Sequence, residues 1–248
     1  MKTTLRVLLA SLSLAAASAF ASGGAEIHLD AAPINLKDTA SLQRGAKTFV
    51  NYCLNCHNAQ FMRYSHLTQI GLTEQQIREN LLFTTDKIGD TMVSALDPAD
   101  AKDWLASVPP DLTLSARVRG SDWLYTYMRS FYRDDESPSG WNNTVFKNVA
   151  MPHVLHDLQG TRAMAKAGEK RGHDGKMEPV FKLAVDREGT MSPADYDRYV
   201  GDLVNFMTYM AEPARSQRTQ LGVLVLFFLA IAFFVTLALK HEYWKDVK

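Results

Sequence analysis

The run Cys53-Leu54-Asn55-Cys56-His57 carries more chemistry than any other part of this 248-residue chain. It has the C-x-x-C-H pattern by which a c-type haem is attached covalently. Two thiols add across the two vinyl groups of the porphyrin as thioethers. Two intervening residues set both sulfurs along one edge of the ring. The adjacent histidine then brings an imidazole nitrogen to the iron as axial ligand. A C-x-x-C pair also serves in redox exchange and in zinc sites. Neither suits this chain. No βαβ pattern surrounds the pair, and with only two cysteines there is no second pair of soft ligands. A disulfide across two residues would constrain almost no chain. The motif points to one covalently bound haem c and to electron transfer.

Two apolar segments bracket the chain. Residues 1–21 have the three parts of a secretory signal peptide. Lys2 and Arg6 give the positive start, Val7 to Ala17 the apolar run, and Ala17-Ser18-Ala19 and Ala19-Phe20-Ala21 two small-x-small cleavage sites. Cleavage after Ala21 is favoured over Ala19. Residues 219–239 hold no charge and are rich in Leu, Val, Phe and Ala. As a helix they span about 31 Å, close to the thickness of a bilayer's hydrocarbon. Arg215 and Arg218 flank one end, and Lys240, His241, Lys245 and Lys248 the other. Tyr243 and Trp244 suit the interface beyond it. The expected order is a signal at 1–21, an exported periplasmic domain at 22–218, a transmembrane helix at 219–239 and a cytoplasmic tail at 240–248. That places a single-pass protein in a bacterial inner membrane, with its haem domain where bacterial c-type haem attachment takes place.

Charge is balanced, at 27 basic and 27 acidic residues. Loss of Lys2 and Arg6 with the signal leaves the exported part mildly acidic. That fits docking of a basic soluble partner and argues against nucleic-acid binding. Asp134-Asp135-Glu136, the densest acidic run, reads as a solvated loop.

The expected fold class is mainly α, a c-type cytochrome haem domain with long loops plus the C-terminal anchor. A first helix starts near Ser41 and ends at the haem motif, with Gly45, Phe49 and Cys53 along one face. A glycine there admits the close approach of another helix. The last soluble helix has Ser192 as N-cap, Pro193 at N1 and Asp195 at N3, and ends before Pro213. Its apolar stripe is Tyr196, Tyr199, Val200, Leu203, Met207 and Met210. These two helices are expected to cross. Two more run from Thr73 to about Phe83, with Thr73 and Gln76 in capping-box positions, and from Ser121 to about Tyr132. From Asp134 to Thr190 little helical or strand periodicity is visible, and Gly160 to Lys176 reads as an exposed basic loop. A porphyrin offers an apolar core against which such loops can pack.

The second face of the iron is open to several side chains on spacing alone. Met128, Met207 and Met210 read as helix core, the usual place of methionine. Met62 follows the motif too closely. Met151 stands in a non-periodic stretch, and Pro152 biases it towards extended backbone. His153 and His156 are rivals, and so is Met191.

Four blocks together make the chain resemble the cytochrome c1 family. They are Arg44-Gly45-Ala46 with Phe49 and the haem motif, Pro109-Pro110-Asp111-Leu112-Thr113 followed by Arg117 and Arg119, Val149-Ala150-Met151-Pro152, and Thr190-Met191-Ser192 with its helix, Ala211-Glu212-Pro213 and one membrane helix. The resemblance implies that Met151 is the sixth iron ligand beside His57, and that Arg117, with Arg119 as the neighbouring alternative, meets a haem propionate. It also implies that Pro109 and Pro110 wall the haem pocket. A partly buried carboxylate needs such a charge-assisted partner. The chain departs from the mitochondrial pattern in two places. His153 follows Pro152 where Ala-Pro-Pro follows the methionine there, and Trp123 stands where a tyrosine often sits.

The function implied is that of an electron-transfer subunit of ubiquinol–cytochrome c reductase. Its haem would take one electron from a Rieske iron–sulfur protein and pass it to cytochrome c, with cytochrome b and the bilayer as neighbours. No acid–base catalyst and no quinol site are expected in this subunit. The alternatives are a stand-alone membrane-anchored c-type cytochrome serving an oxidase, and a haem-based sensor with an open sixth site.

Overall fold

A computed structural model describes residues 28–171 and 177–246. The signal segment at 1–21 lies outside the described residues. The fold is mainly helical and is built on one crossing. Helix α1 (Thr39–Thr48) meets the long helix α7 (Pro193–Ala211) at Gly45. A Cβ at Gly45 would lie 2.0 Å from the Asp202 carbonyl oxygen and 2.6 Å from the Phe206 Cβ, so only glycine permits this approach. Phe49 and Phe206 pack beside it with ring centroids 5.7 Å apart. Arg44 closes the crossing with two hydrogen bonds to the Asp202 carboxylate, at 2.6 and 3.0 Å.

Local signals set the helix ends. Asp38 accepts from the Ser41 amide at 3.0 Å, so α1 begins two residues before Ser41. Helix α2 (Glu74–Asn80) has the full capping box of Thr73 and Gln76 and stops short of Phe83. Helix α3 (Pro98–Leu105) carries Pro98 in its first turn, capped by Asp97, and α4 (Ser115–Arg119) is a single short turn. Helix α5 (Ser121–Arg129) ends before Tyr132, because Phe131 to Arg133 pair as a strand. Ser192 caps α7, accepting from the Asp195 amide at 3.2 Å, and α7 ends at Ala211, two residues before Pro213. Helix α8 (Arg215–Trp244) follows, and its stretch Gln220–Trp244, which holds an unburied window of 18 residues with mean hydropathy 2.9, is long and apolar enough to cross a membrane.

Among the described residues, three two-stranded antiparallel ribbons fill the rest. Strands β1 (Ala59–Arg63) and β2 (Thr91–Met92) follow the haem motif, with a 3-10 helix at Tyr64–Ile70 between them. Strands β3 (Phe131–Arg133) and β4 (Trp141–Asn143) pair Phe131 with Asn143 and Arg133 with Trp141. A short helix α6 (His156–Gln159) leads into β5 (Gly160–Arg171), which pairs along its length with β6 (Met177–Glu188). Residues 160–171, read from the sequence as part of an exposed basic loop within a stretch of little periodicity from Asp134 to Thr190, are instead a strand of this hairpin. The hairpin's outer residues Met164, Met177, Phe181 and Val185 are exposed, so neither face shows a strand's alternation. Only its base is tightly packed. Gly160, at φ +85°, sits where a Cβ would lie 2.1 Å from the Arg187 carbonyl oxygen.

Candidate haem centre

The chain leaves α1 through one wide turn at Phe49–Cys53, in which the Leu54 amide reaches back five residues to the Phe49 carbonyl at 3.0 Å. Single π-type turns of this kind gather at functional sites. Here it delivers the haem motif, and the His57 amide then bonds the Cys53 carbonyl at 2.8 Å. Cys53, Cys56 and His57 all line one cavity of about 380 Å³. No disulfide joins the two cysteines, and burial, with Cys56 beside it, pushes the Cys53 thiol up to about 12.

His57 is oriented by its Nδ1, which lies 2.8 Å from the Pro110 carbonyl oxygen. A carbonyl only accepts, so Nδ1 carries the proton and Nε2 keeps its lone pair for a metal. Burial lowers the His57 pKa, against the raising influence of Pro110 and Asp111. The neutral, ligating form is thereby favoured. The Pro110 carbonyl is itself fixed by its neighbours. Asp111 accepts from the Gln60 and Thr113 amides, each at 2.8 Å, and the Leu112 amide bonds the Asn58 carbonyl at 2.8 Å. Pro109 and Pro110 both line the cavity.

The two arginines part company. Arg119 lines the cavity, its guanidinium 5.1 Å from the Trp123 ring centroid and 5.8 Å from that of Phe146. Arg117 is absent from that wall and lies 3.5 Å from the Glu212 carboxylate. The arginine expected first for a propionate therefore points to the end of α7, and its neighbour faces the cavity.

Met151 lines the same cavity as the thiols and His57. Its loop is shaped by two buried asparagines. Asn142 Oδ1 accepts from the Asn143 and Asn148 amides at 2.8 and 2.9 Å, and Asn143 Oδ1 accepts from Val145 at 2.9 Å. Asn143 also donates to the Tyr127 carbonyl at 2.8 Å. The rival ligands are placed elsewhere. His153 is buried outside the cavity, stacked on Phe131 at 4.9 Å with Nε2 2.7 Å from Gln159 Oε1. Burial lowers its pKa to about 4. His156 faces a second, polar cavity with Trp141 and Arg187, and Met191 lines neither.

Sequence reasoning missed part of the wall. Tyr127 and Met128 of α5 and Leu203 and Met207 of α7 line the cavity as well as packing their helices. An apolar stripe at helical spacing looks the same whether it faces protein or porphyrin. The Tyr127 phenol is held above its ordinary range by burial. The donor set fits a c-type haem: two cysteine sulfurs, an imidazole with one nitrogen available, a thioether, and a mostly apolar wall with one arginine.

Comparison with known proteins agrees with this geometry. The model of the Cytochrome C1 family matches residues 30–247. The chain is 48% identical over 243 residues to a cytochrome c1 of Allochromatium vinosum, covering 97% of this chain and 98% of that one. It is also 48% identical over 227 residues to a protein named ammonia monooxygenase gamma subunit in Nitrosomonas europaea, covering 91% and 92%. It is 25% identical over 247 residues to a cytochrome b/c1 of Bradyrhizobium diazoefficiens, covering 87% of this chain and 34% of that one. A C-x-x-C-H motif and a thioether lining one mostly apolar cavity, a C-terminal helix fit to anchor it, and this family match along nearly the whole chain lead to one conclusion: the chain belongs to the cytochrome c1 family of electron-transfer haem proteins.

Proposed function

We propose that this chain is the haem subunit of a ubiquinol–cytochrome c reductase, taking one electron from a Rieske iron–sulfur protein and passing it to cytochrome c. One observation carries the reading: the motif residues Cys53, Cys56 and His57 share the wall of one cavity with Met151, which lies far along the chain from them. When bound, a single haem c supplies the one-electron ferrous/ferric couple. Cys53 and Cys56 tether it as thioethers, and His57 Nε2 and the Met151 sulfur ligate the iron. A thioether ligand raises the potential relative to a second imidazole. Arg119, on the cavity wall, neutralises a propionate in this reading, while Arg117 pairs with Glu212. Pro109 and Pro110 exclude water from one side and present the carbonyl that orients His57. No residue of this subunit needs to move a proton, because quinol oxidation belongs to the partners.

The anchor lies in a bacterial inner membrane beside cytochrome b, with the haem domain in the periplasm, residues 240–248 in the cytoplasm and the signal at 1–21 removed. The b/c1 relative, whose name joins both cytochromes in one protein, supports that neighbourhood.

The test is optical spectroscopy of Met151→Ala beside wild type. Wild type is expected to be low-spin, with the near-infrared sulfur-to-iron band. The variant is expected to keep its covalent haem, lose that band and bind carbon monoxide. An unchanged spectrum would remove Met151 as the ligand. Mild detergent extraction then tests the complex. Co-purification with cytochrome b and a Rieske protein supports the reductase, and a haem protein alone supports a stand-alone carrier. The gamma-subunit relative favours a second reading, in which the same haem chain serves a monooxygenase assembly; co-purification with those subunits would establish it.

A further inference from the structure

The Met151 sulfur has a second partner in the wall of its own cavity. The Tyr127 hydroxyl donates to Sδ across 3.4 Å, and among the described residues that sulfur is its one hydrogen-bond acceptor. The phenol has little freedom to turn away. Tyr127 is 8% exposed, its ring lies nearly parallel to Trp123 at 4.8 Å, and Phe131 meets it edge-on at 4.9 Å. The Asn143 side chain fixes its carbonyl at 2.8 Å. The same Asn143 shapes the loop that carries Met151, through Val145 and Phe146 at 2.9 and 3.2 Å. One asparagine therefore sets both the donor and the approach to the acceptor.

A thioether sulfur carries two lone pairs. One is needed for the iron; the other is free to accept the phenol O–H. Resting on the reading of Met151 as axial ligand, we propose that Tyr127 is a positioning residue that fixes which sulfur lone pair faces the iron and raises the reduction potential. The O–H dipole draws electron density from the sulfur and weakens its donation. Ferric iron depends on that donation more than ferrous iron does, so the oxidised form loses more. Hydrogen bonds to sulfur are weak, so the effect on the reduction equilibrium is a few-fold rather than a hundredfold.

Tyr127→Phe in the full-length, detergent-solubilised protein tests this, because the ring and its two stacking partners remain while the O–H is lost. Two quantities are read: the midpoint potential by redox titration and the near-infrared sulfur-to-iron band. The expected result is covalent haem with the band retained and the reduction equilibrium shifted about threefold towards the ferric form. A retained band with an unmoved potential would overturn the proposal. So would loss of the band, which would make the phenol a condition of ligation instead of a modulator of it. Met151→Ala measured alongside separates the two levels. If that variant keeps the band, the ligand reading itself fails. If it loses the band while Tyr127→Phe leaves the potential unmoved, only the role of Tyr127 fails.

Discussion

His57 has one nitrogen to give because Pro110 has taken the other, and that small fact orders the residues around it. The C-x-x-C-H run stood out in the sequence because its residue types and spacing occur together, whereas spacing alone did not separate Met151 from His153, His156 and Met191; of these four, the fold brings only Met151 to the cavity wall beside the motif. The division between Arg117 and Arg119 was not. Both stand on the same short helix, and only the fold decides which one meets Glu212. Their roles separate in redox titrations. Arg119→Gln is expected to lower the midpoint potential by the equivalent of about a threefold change in the reduction equilibrium, since an exposed cation near a propionate contributes modestly. Arg117→Gln is expected to leave the potential where it was. Equal shifts for both variants would show that the cavity wall does not distinguish them. Asn142 and Asn143 escaped notice for a different reason: an asparagine pair signals a turn, and nothing local says what the turn presents.

At the scale of elements, the crossing of α1 and α7 carries the domain. Gly45→Ala would place a methyl group 2.0 Å from the Asp202 carbonyl oxygen, which is backbone and has no rotamer to escape by. The expected cost is about 3 kcal/mol, at the upper end for overpacking. It would be read as a lowered thermal midpoint of the holoprotein, and a midpoint equal to wild type would show that the two helices separate at little cost. Helices α1, α2, α5 and α7 were legible from capping residues and apolar spacing, apart from their ends. The β5–β6 hairpin was not, and the reason is physical. Alternation arises when one face of a strand is buried. Here Met164, Phe181 and Val185 are exposed and interspersed with Lys166, Lys182 and Arg187, so no buried face leaves its mark on the sequence. The wide turn at Phe49–Cys53 was equally invisible, because Phe49 and Cys53 fit an uninterrupted helix as well.

Across the whole molecule, Glu212 joins the haem domain to its anchor. Its carboxylate is 3.5 Å from Arg117 on the haem side and 2.7 Å from Arg218 in the first turn of α8. Glu212→Gln removes the charge that both arginines share. The expected outcome is an unchanged optical spectrum with tryptic cleavage at Arg218 faster by about threefold, the range of two partly exposed ion pairs. Unchanged cleavage would mean the junction is held by other contacts. The same junction has a mechanical side. Helix α7 lends Leu203 and Met207 to the haem cavity and ends at Ala211, only a few residues before α8 begins at Arg215. Any tilt that a thinner or thicker bilayer imposes on α8 is therefore applied, through a short braced joint, to one wall of the redox centre. If the chain works as proposed, lipid composition is expected to be a variable of electron-transfer rate, acting on the reach between the haem edge and its partners.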